Sequence, residues 1–595
     1  MKKHTYIILA ALCLTGFALS CGGDDPVPEP QPEPQPVDTV TPTPEPEPGP
    51  VASVVGWPAQ YGGVMLQGFY WDGFTDAAWT RLTAQADELA PYFSLVWIPQ
   101  SGNCGGSLSM GYDDLYWFNN YDSSFGTEAE LRTLIQTFKS KGIGTIADVV
   151  INHRRNVSNW VDFPKETYRG VTYEMGPADI CNDDDGGATR NWATANGYQL
   201  SANNDTGEGW GGMRDLDHKS TNVQNIVKAY LDFLLNDLGY IGFRYDMVKG
   251  YSGQYTKLYN ASAKPEFSVG ECWDGSSTIR AWIDATDKSS AAFDFQFRYV
   301  VRNAVNNQNW ARLGQQNDGN WPLVYANFNN GAYRQWAVTF VENHDTERRP
   351  NAEQDPIRRD TLAANAYLLA MPGTPCVFLK HWKAFKYDIA RMIQARQVAG
   401  IQNTSTASQL RSNASFYAAT VQGSKGKLIV WLGDQTSASE ATDGYTRILQ
   451  GPHYSYWLEN SLVSAWKAMP EPAFKEQTVQ KHDITIYLKD PGWQDVYFYA
   501  WDGNQYIDDS WPGVRIPWNN VKIIATKDSS AKYYYRTFSV SAEAGYTMNV
   551  IFSQGSSEAQ TVDINGISSD RYYEIGERNS EGKFTYRDIT SEVGH

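Results

Sequence analysis

Apolar runs of β-type composition alternate with helical patterns over residues 56–381 of the chain. The runs that predict strands are 63–71, 93–99, 144–152, 242–247, 266–273, 291–295, 337–345 and 374–381. Helical periodicity fills most of the intervals, for example at residues 128–141 and 223–238. Eight strands separated by helices predict a (β/α)8 TIM barrel in an α/β fold, with the active site at the carboxyl ends of the strands.

The connection after the third predicted strand, residues 153–218, is unusually long and rich in Asn, Asp and Gly. We interpret it as an inserted domain B, which needs its own organisation, and a bound ion is one way to supply that. The barrel domain as a whole is predicted to span residues 56–400 and to end with a helix at 387–398.

Short β-type runs follow the barrel. Residues 401–462 predict a small antiparallel β domain, and residues 463–476 predict a linker. The segment 477–595 alternates in strand fashion at 484–488 and 495–501, and we predict that it forms a β-sandwich.

The amino terminus has the pattern of a targeting segment. Lys2 and Lys3 precede an apolar run, and Ser20 precedes Cys21. Residues 1–21 resemble a bacterial lipoprotein signal peptide with Cys21 as the lipidation site, although ordinary cleavage that leaves Cys21 as a bystander is the alternative. The Pro-rich residues 22–55 predict a stiff stalk. We therefore expect an outer membrane lipoprotein, anchored to the membrane through Cys21 at the cell surface, or alternatively a secreted protein.

Composition narrows the class of partner. Aromatic residues make up 14% of the chain, with 21 Trp and 36 Tyr, which exceeds what cores alone require. The excess favours a carbohydrate partner, since aromatic rings stack on sugar faces, although large β-rich domains are also Trp-rich. The net charge of −17 argues against nucleic acid, whose phosphates need a basic surface, and suits a neutral polymer or a bound cation. The cysteines after Cys21 are scattered without metal-site spacing, so we expect isolated buried thiols.

Carboxylates end three of the predicted strands: Asp246 the fourth, Glu271 the fifth and Asp345 the seventh. Glycoside hydrolysis needs one carboxylate to attack the anomeric carbon and another to protonate the leaving oxygen. Arg244 alternates onto the same strand face as Asp246, so it can hold that carboxylate ionised. Glu271 must instead carry a proton, which apolar shielding by Trp273 favours.

The four strand-end motifs, at residues 148–153, 242–250, 270–273 and 341–345, together resemble the α-amylase family of glycoside hydrolases. The resemblance runs from residue 63 to the 460s, and residues 64–71, 215–218 and 372–376 bring it closest to plant-type amylases. It implies a retaining, endo-acting hydrolase of internal α-1,4-glucosidic bonds, with starch and α-1,4-glucan oligosaccharides as substrates.

The resemblance also implies a role for each site residue. Asp246 is expected to be the nucleophile, Glu271 the general acid/base and Asp345 the group that stabilises the transition state. The expected substrate contacts are Arg244, His153, His344, Tyr112, Lys249 and Trp273. Among these, Tyr112 is the expected stacking platform, and Lys249 and Trp273 lie on the leaving-group side.

A calcium cofactor is implied as well. Asn152, Asp205 and Asp215 are the expected oxygen ligands, with Glu208 and Gly250 as backbone-carbonyl donors. Glu208 stands where the family usually has a small residue, so its side chain is a further candidate ligand. Residues 182–185 are acidic enough for a second ion, although Asp-rich turns are common and exposed.

The C-terminal segment resembles starch-binding modules. Tyr497 and Tyr499 fall on one strand face, and Trp511 precedes Pro-Gly in a predicted turn, an arrangement that cradles an amylose helix in such modules. Gln554 is a weaker candidate for a polar sugar contact. The alternative is that these aromatic residues only fill the core of one more β domain.

Two other functions compete with the amylase. A transglycosylase of the same family uses the same three carboxylates, and only loop shape separates it from a hydrolase. A non-catalytic surface starch-binding lipoprotein is the other alternative, which the intact Asp246, Glu271 and Asp345 argue against. We expect a monomer with no nucleic-acid partner.

Overall fold

The computed structural model describes residues 56–593 apart from 107, 326, 350, 351, 354, 475–480, 503–506, 509, 510, 518, 526–529 and 542–545. The predicted signal peptide, Cys21 and the Pro-rich stalk lie outside the described residues, as do residues 475–476 of the predicted linker. Within the described part of the chain, no helix combines the length and apolarity that crossing a bilayer requires.

Eight parallel strands close into a barrel. They are β1 (Met65–Gln67), β2 (Leu95–Ile98), β3 (Gly144–Val149), β4 (Gly242–Tyr245), β5 (Phe267–Gly270), β6 (Ala291–Phe293), β7 (Ala337–Thr339) and β8 (Thr374–Phe378). Neighbours along the chain are neighbours in the barrel, and Met65 closes the ring by pairing with both Leu95 and Cys376. Each strand lies inside its predicted run, so the predicted barrel is confirmed.

Helices surround the barrel and follow most of its strands. The α-helices are Trp79–Ala84, Ala86–Leu89, Glu128–Ser140, Ala188–Ala195, Thr221–Phe233, Gly253–Ala263, Ser276–Ala285, Phe295–Asn307, Thr361–Ala370, Leu379–Ala384, Lys386–Ala399 and Val463–Lys467. Short 3-10 turns include Pro177–Asp179, Asp184–Gly187, Val248–Gly250, Trp310–Gly314, Asn327–Trp336, Ala438–Ala441, Asn460–Leu462, Ser557–Ala559 and Thr590–Glu592, and Leu234–Leu238 is a π-turn. Local sequence sets the ends: Thr127 and Glu130 form a capping box at the start of Glu128–Ser140.

The insertion between β3 and β4 is built from small pieces. Two short antiparallel pairs of strands join His153–Arg154 to Arg214–Asp215 and Glu166–Tyr168 to Val171–Tyr173, and only the second pair is a hairpin. A buried ion pair of 2.7 Å joins Arg154 to Glu166, whose carboxylate also accepts backbone N–H bonds from residues 117–119. This buried network ties the insertion to the loop that follows β2.

An antiparallel sheet follows the barrel, as predicted. Its strands, in spatial order, are Thr406–Ser412, Phe416–Gln422, Lys427–Gly433, Tyr454–Glu459 and Tyr445–Gly451. The helix Val463–Lys467 follows this sheet and carries Trp466. The guanidinium of Arg391, on the helix Lys386–Ala399, lies 3.9 Å from the ring centre of Trp466. This contact holds the first part of the predicted linker against the helix Lys386–Ala399.

The C-terminal segment forms two sheets packed face to face. One contains Val521–Ala525, Ser530–Ser541, Lys481–Lys489, Arg571–Arg578 and Phe584–Asp588, and the other Val514–Ile516, Val496–Asp502, Met548–Ser553 and Ile564–Ile567. Alternate residues such as Ile484 and Ile486 from the first sheet pack against Phe498 and Phe552 from the second. The predicted β-sandwich is confirmed.

The cysteines that follow the targeting segment are all free and buried: Cys104, Cys181, Cys272 and Cys376. This agrees with the prediction of isolated thiols.

Candidate active site

Arg244 lies at the centre of the barrel mouth and contacts three carboxylates. Its Nη1 is 2.6 Å from Asp246 Oδ1 and 2.8 Å from Asp148 Oδ1, and its Nη2 is 2.9 Å from Glu271 Oε2. The guanidinium is buried, 4.9 Å from the ring centre of Trp97. Because one guanidinium holds Asp246 and Glu271 together, the geometry places both at a single reaction centre.

The predicted acid and nucleophile differ in proton affinity. Burial raises the pKa of Glu271 to about 8, although Arg244 opposes the rise. Burial raises the pKa of Asp246 to about 6 against the same opposing charge. Between these values Glu271 holds a proton and Asp246 is ionised, an order of pKa values that is compatible with an acid at Glu271 and a nucleophile at Asp246.

Asp148 is a site residue that the sequence analysis did not single out. It lies on β3 beside Arg244 of β4 in the sheet register. Its Oδ2 accepts a bond of 3.1 Å from Trp97 Nε1 and one of 3.2 Å from the hydroxyl of Tyr112. Asp148 therefore fixes the guanidinium that orients the two reactive carboxyls.

The two ring nitrogens of His344 contact Gln67 on one side and Asp345 on the other. Gln67 Nε2 donates to Nδ1 at 2.9 Å, so the ring proton lies on Nε2. Nε2 is 3.2 Å from Asp345 Oδ2 and 2.5 Å from the hydroxyl of Tyr112. Burial holds the pKa of His344 well below its ordinary value, so the ring is a neutral hydrogen-bond donor. Burial also raises the pKa of Asp345.

Flat rings line one side of the mouth. Tyr112, Trp71 and His344 are nearly parallel, with Trp71 6.0 Å from Tyr112 and 6.2 Å from His344. On the other side of Tyr112, the ring of His153 stacks on Trp210 at 5.6 Å, and Nε2 donates to the carbonyl of Tyr112 at 3.0 Å. Trp71, Tyr112 and Trp210 line a cleft of about 620 Å³. The sequence analysis missed Trp210 and the ring role of Trp71, although Trp71 ends the first predicted strand.

Lys249 and Trp273, two of the predicted substrate contacts, lie next to each other. Lys249 Nζ donates to the carbonyl of Trp273 at 3.4 Å and pairs with Asp274 at 3.0 Å. The indole of Trp273 stacks on Phe295 and donates to the hydroxyl of Tyr299 at 2.8 Å. Trp273 and Tyr299 line a second cavity of about 420 Å³.

The contacts of the expected calcium ligands show whether these residues could hold an ion. Asn152 Nδ2 lies 3.5 Å from Asp215 Oδ1, and a Cβ on Gly250 would collide with the Asn152 amide, so these three residues converge. Oδ2 of Asp205 is buried without a hydrogen-bond partner. Burial raises the pKa of Asp205 to about 6 and of Asp215 to about 8. Such a donor set of hard oxygens fits a calcium ion.

Glu208 contributes differently from the other candidates. Its carboxylate pairs with Lys249 Nζ at 2.8 Å and is largely exposed, and its backbone N–H donates to the carbonyl of Lys249. The ion pair engages the side chain away from Asp215, so only its backbone carbonyl is left as a candidate ligand. Across the described residues, no cluster of three or more His, Cys, Asp or Glu side chains is arranged for a metal ion.

The candidate starch contacts of the sandwich lie on its outer face. Tyr499 is buried between Trp501 and Trp511, with ring centres 5.7 and 5.4 Å away. Tyr497 is half-buried and Trp511 is 36% exposed, so these two rings are the accessible ones. The backbone N–H of Gln554 donates to the carbonyl of Ala559 at 2.9 Å.

Two consecutive arginines join the barrel mouth to this face. The guanidinium of Arg349 lies 4.5 Å from the ring centre of Trp71, and that of Arg348 lies 5.1 Å from the ring centre of Trp501. The aromatic face of the sandwich therefore adjoins the mouth that carries the catalytic carboxyls.

Comparison with known proteins identifies the family to which the chain belongs. The α-amylase catalytic-domain family matches residues 106–380. The chain is 30% identical over 414 residues to a probable α-amylase 2 of Arabidopsis thaliana, covering 66% of this chain and 93% of that protein. It is 28% identical over 432 residues to a glucan 1,4-α-maltotetraohydrolase of Stutzerimonas stutzeri, covering 65% of this chain and 73% of that protein. With the barrel, the strand-end carboxylates and these relatives in agreement, the chain belongs to the α-amylase family of glycoside hydrolases.

Proposed function

We propose that the chain is a retaining, endo-acting α-amylase that cleaves internal α-1,4 bonds of starch. The observation that carries the proposal is the single guanidinium of Arg244 that holds Asp246 and Glu271 together, with a higher pKa at Glu271. A retaining mechanism needs one ionised and one protonated carboxyl side by side.

The reaction begins when Glu271 donates its proton to the glycosidic oxygen while Asp246 attacks the anomeric carbon. The bond to the leaving chain breaks and a covalent glycosyl–Asp246 ester forms. Ionised Glu271 then accepts a proton from a water molecule as the water oxygen attacks the anomeric carbon. The ester bond to Asp246 breaks, which leaves Asp246 ionised and Glu271 protonated, as at the start. Asp345 and His344 bind the sugar hydroxyls, and Tyr112 stacks beneath the ring.

Water has to reach the glycosyl ester for hydrolysis, and an acceptor sugar has to reach it for transfer. The plant-type motifs of the chain favour hydrolysis. Lys249 and Trp273, beside the second cavity, are the proposed contacts for the leaving chain.

We further propose that one calcium ion binds Asn152, Asp205 and Asp215, with the carbonyls of Glu208 and Gly250. When bound, the ion supplies positive charge that ties the insertion to β3 and β4. The unpartnered oxygen of Asp205 supports this assignment.

The C-terminal sandwich is proposed to hold starch through Tyr497 and Trp511, with Tyr499 supporting the Trp511 ring. The proposed acyl chain on Cys21 and the Pro-rich stalk would hold the enzyme at the cell surface. These assignments rest on the sequence motifs, and labelling with a radioactive fatty acid, compared between the parent and Cys21→Ala, tests the anchor.

The central experiment follows iodine colour and reducing ends on soluble starch, with the parent chain and a Glu271→Gln variant. Fast loss of colour with few reducing ends, reduced about 10³-fold in the variant, is the expected result. Loss of colour without any gain in reducing ends indicates the transglycosylase. Binding of starch without either change indicates the non-catalytic binding protein.

A further inference from the structure

An aromatic row on the surface of the insertion belongs to none of the sites described above. Trp160, Trp192 and Tyr198 are nearly parallel: the centroid distances are 6.2 Å between the two indoles and 5.9 Å between Trp192 and Tyr198, with interplanar angles of 12° and 7°. Trp160 is 37% exposed and Tyr198 is 43% exposed. Exposed apolar patches of this kind mark binding surfaces.

Local structure holds the row in place. The helix Ala188–Ala195 carries Trp192 and ends in a Schellman motif, in which Gly197 N–H bonds to Thr194 and Tyr198 N–H bonds to Ala193. Gly197 adopts a φ of +80°, which turns the chain back so that Tyr198 packs beside Trp192.

The other end of the row is held by a buried cation. The guanidinium of Arg214 lies 5.1 Å from the ring centre of Trp160 and pairs with Asp184 at 2.6 Å. Both charged groups are buried, so this support is fixed before any ligand arrives. A preformed row of rings loses little conformational entropy when a ligand stacks on it.

The side chains of the row and the net charge of the chain indicate which class of ligand binds there. The rings stack on one another and Arg214 lies over Trp160, so the row presents the exposed part of the Tyr198 ring and the exposed edge of Trp160. These apolar surfaces complement the C–H faces of a sugar, and the net charge of −17 disfavours phosphate-bearing polymers and anionic membranes. The row is linked to the cleft through Arg214, which contacts Trp160 and is followed by Asp215, whose carboxylate accepts the backbone N–H of the cleft residue Trp210.

We propose that Trp160, Trp192 and Tyr198 form a second glucan-binding surface, which takes an α-1,4-glucan chain outside the catalytic cleft. This inference rests on the proposed function, because the substrate of the cleft supplies the occupant. The surface holds insoluble starch against the insertion while another segment of the polymer enters the mouth at Tyr112.

The test compares the full chain with a Trp192→Ala/Tyr198→Ala double variant. Binding to starch granules, and the ratio of the rate on granules to the rate on a short maltooligosaccharide, are measured. Both are expected to fall at least tenfold in the double variant. A Trp192→Phe/Tyr198→Phe variant keeps the rings and should keep most of the binding, which separates ring stacking from a folding defect.

The matched control is Val171→Ala, an exposed apolar residue of the same insertion. It should match the parent in both measurements. If the parent cleaves maltooligosaccharides but the double variant keeps the parent's granule binding and rate ratio, the second surface is overturned and the amylase stands. A parent that cleaves no α-glucan overturns the proposed function instead. Loss of a dimer in the double variant, with granule binding intact, assigns the row to self-association and overturns the proposal.

Discussion

Individual residues set the pH dependence of the proposed reaction. Asp246 must be ionised to attack, so activity should fall as the pH drops through about 6, the pKa of Asp246. Glu271 must be protonated to donate, so activity should fall as the pH rises through about 8. We therefore expect a bell-shaped plot of kcat/KM between these values, measured on a maltooligosaccharide. An acidic limb at an ordinary carboxyl pKa of about 4 would contradict the burial argument.

Asp148 provides a second prediction at this scale, because its negative charge raises the pKa of Asp246. In an Asp148→Asn variant the acidic limb should move to lower pH. The rate at the optimum should fall about tenfold or more, since the Arg244 guanidinium loses one of its three anchors. A pH–rate profile measures both effects. A lower rate with an unmoved acidic limb would assign Asp148 a purely structural role.

The sequence located the three strand-end carboxyls and several of their neighbours, but it missed Asp148 and Trp210 for a physical reason. Asp246, Glu271 and Asp345 end strands, and strand ends follow from hydrophobic patterns. Asp148 meets Arg244 only because two parallel strands share one register, which no single-strand pattern specifies. Trp210 is placed by a stacking contact with His153 and by a backbone bond to Asp215, in a segment without periodicity.

At the scale of elements, prediction worked where burial is regular. The barrel strands are buried on both faces, so they appear as continuous apolar runs and could be located to within a few residues. The elements of the insertion could not be predicted in detail because its strands are only two or three residues long and its helix Ala188–Ala195 has only eight residues. Such short elements depend on buried ion pairs such as Arg154–Glu166 for their position.

Calcium binding to the insertion should change the thermal stability of the protein. A bound calcium ion would stabilise the folded state through linkage, by about 2.7 kcal/mol at a hundredfold excess over Kd. Chelation should therefore lower the Tm by about 3 °C, and added calcium should restore it. Differential scanning calorimetry with and without a chelator measures the shift.

The control for metal binding is Asp205→Asn, which removes the charge of the carboxylate whose Oδ2 has no hydrogen-bond partner. Its Tm should no longer respond to chelator or calcium. A parent chain whose Tm is the same in chelator and in calcium would rule out a structural ion at this site.

At the scale of the whole molecule, we propose that three surfaces of one chain bind carbohydrate. Arg348 and Arg349 connect the mouth of the barrel to the aromatic face of the sandwich, and the row of Trp160, Trp192 and Tyr198 lies on the insertion that follows β3. A granule presents many glucan chains at once, so the row and the sandwich can engage it together. Linked sites of this kind gain affinity from effective concentration without any new contact.

Removing one surface at a time distinguishes linked binding from independent binding. If the two surfaces bind granules independently and equally well, loss of either one weakens binding only about twofold, since the other remains. If they bind together, loss of either should weaken binding about 10²-fold. We expect the second result for Trp511→Ala and for Trp192→Ala, each measured by depletion onto starch granules. On a short maltooligosaccharide, which cannot span both surfaces, the same variants should weaken binding only slightly. Equal losses on granules and on the short chain would mean that the surfaces do not act together.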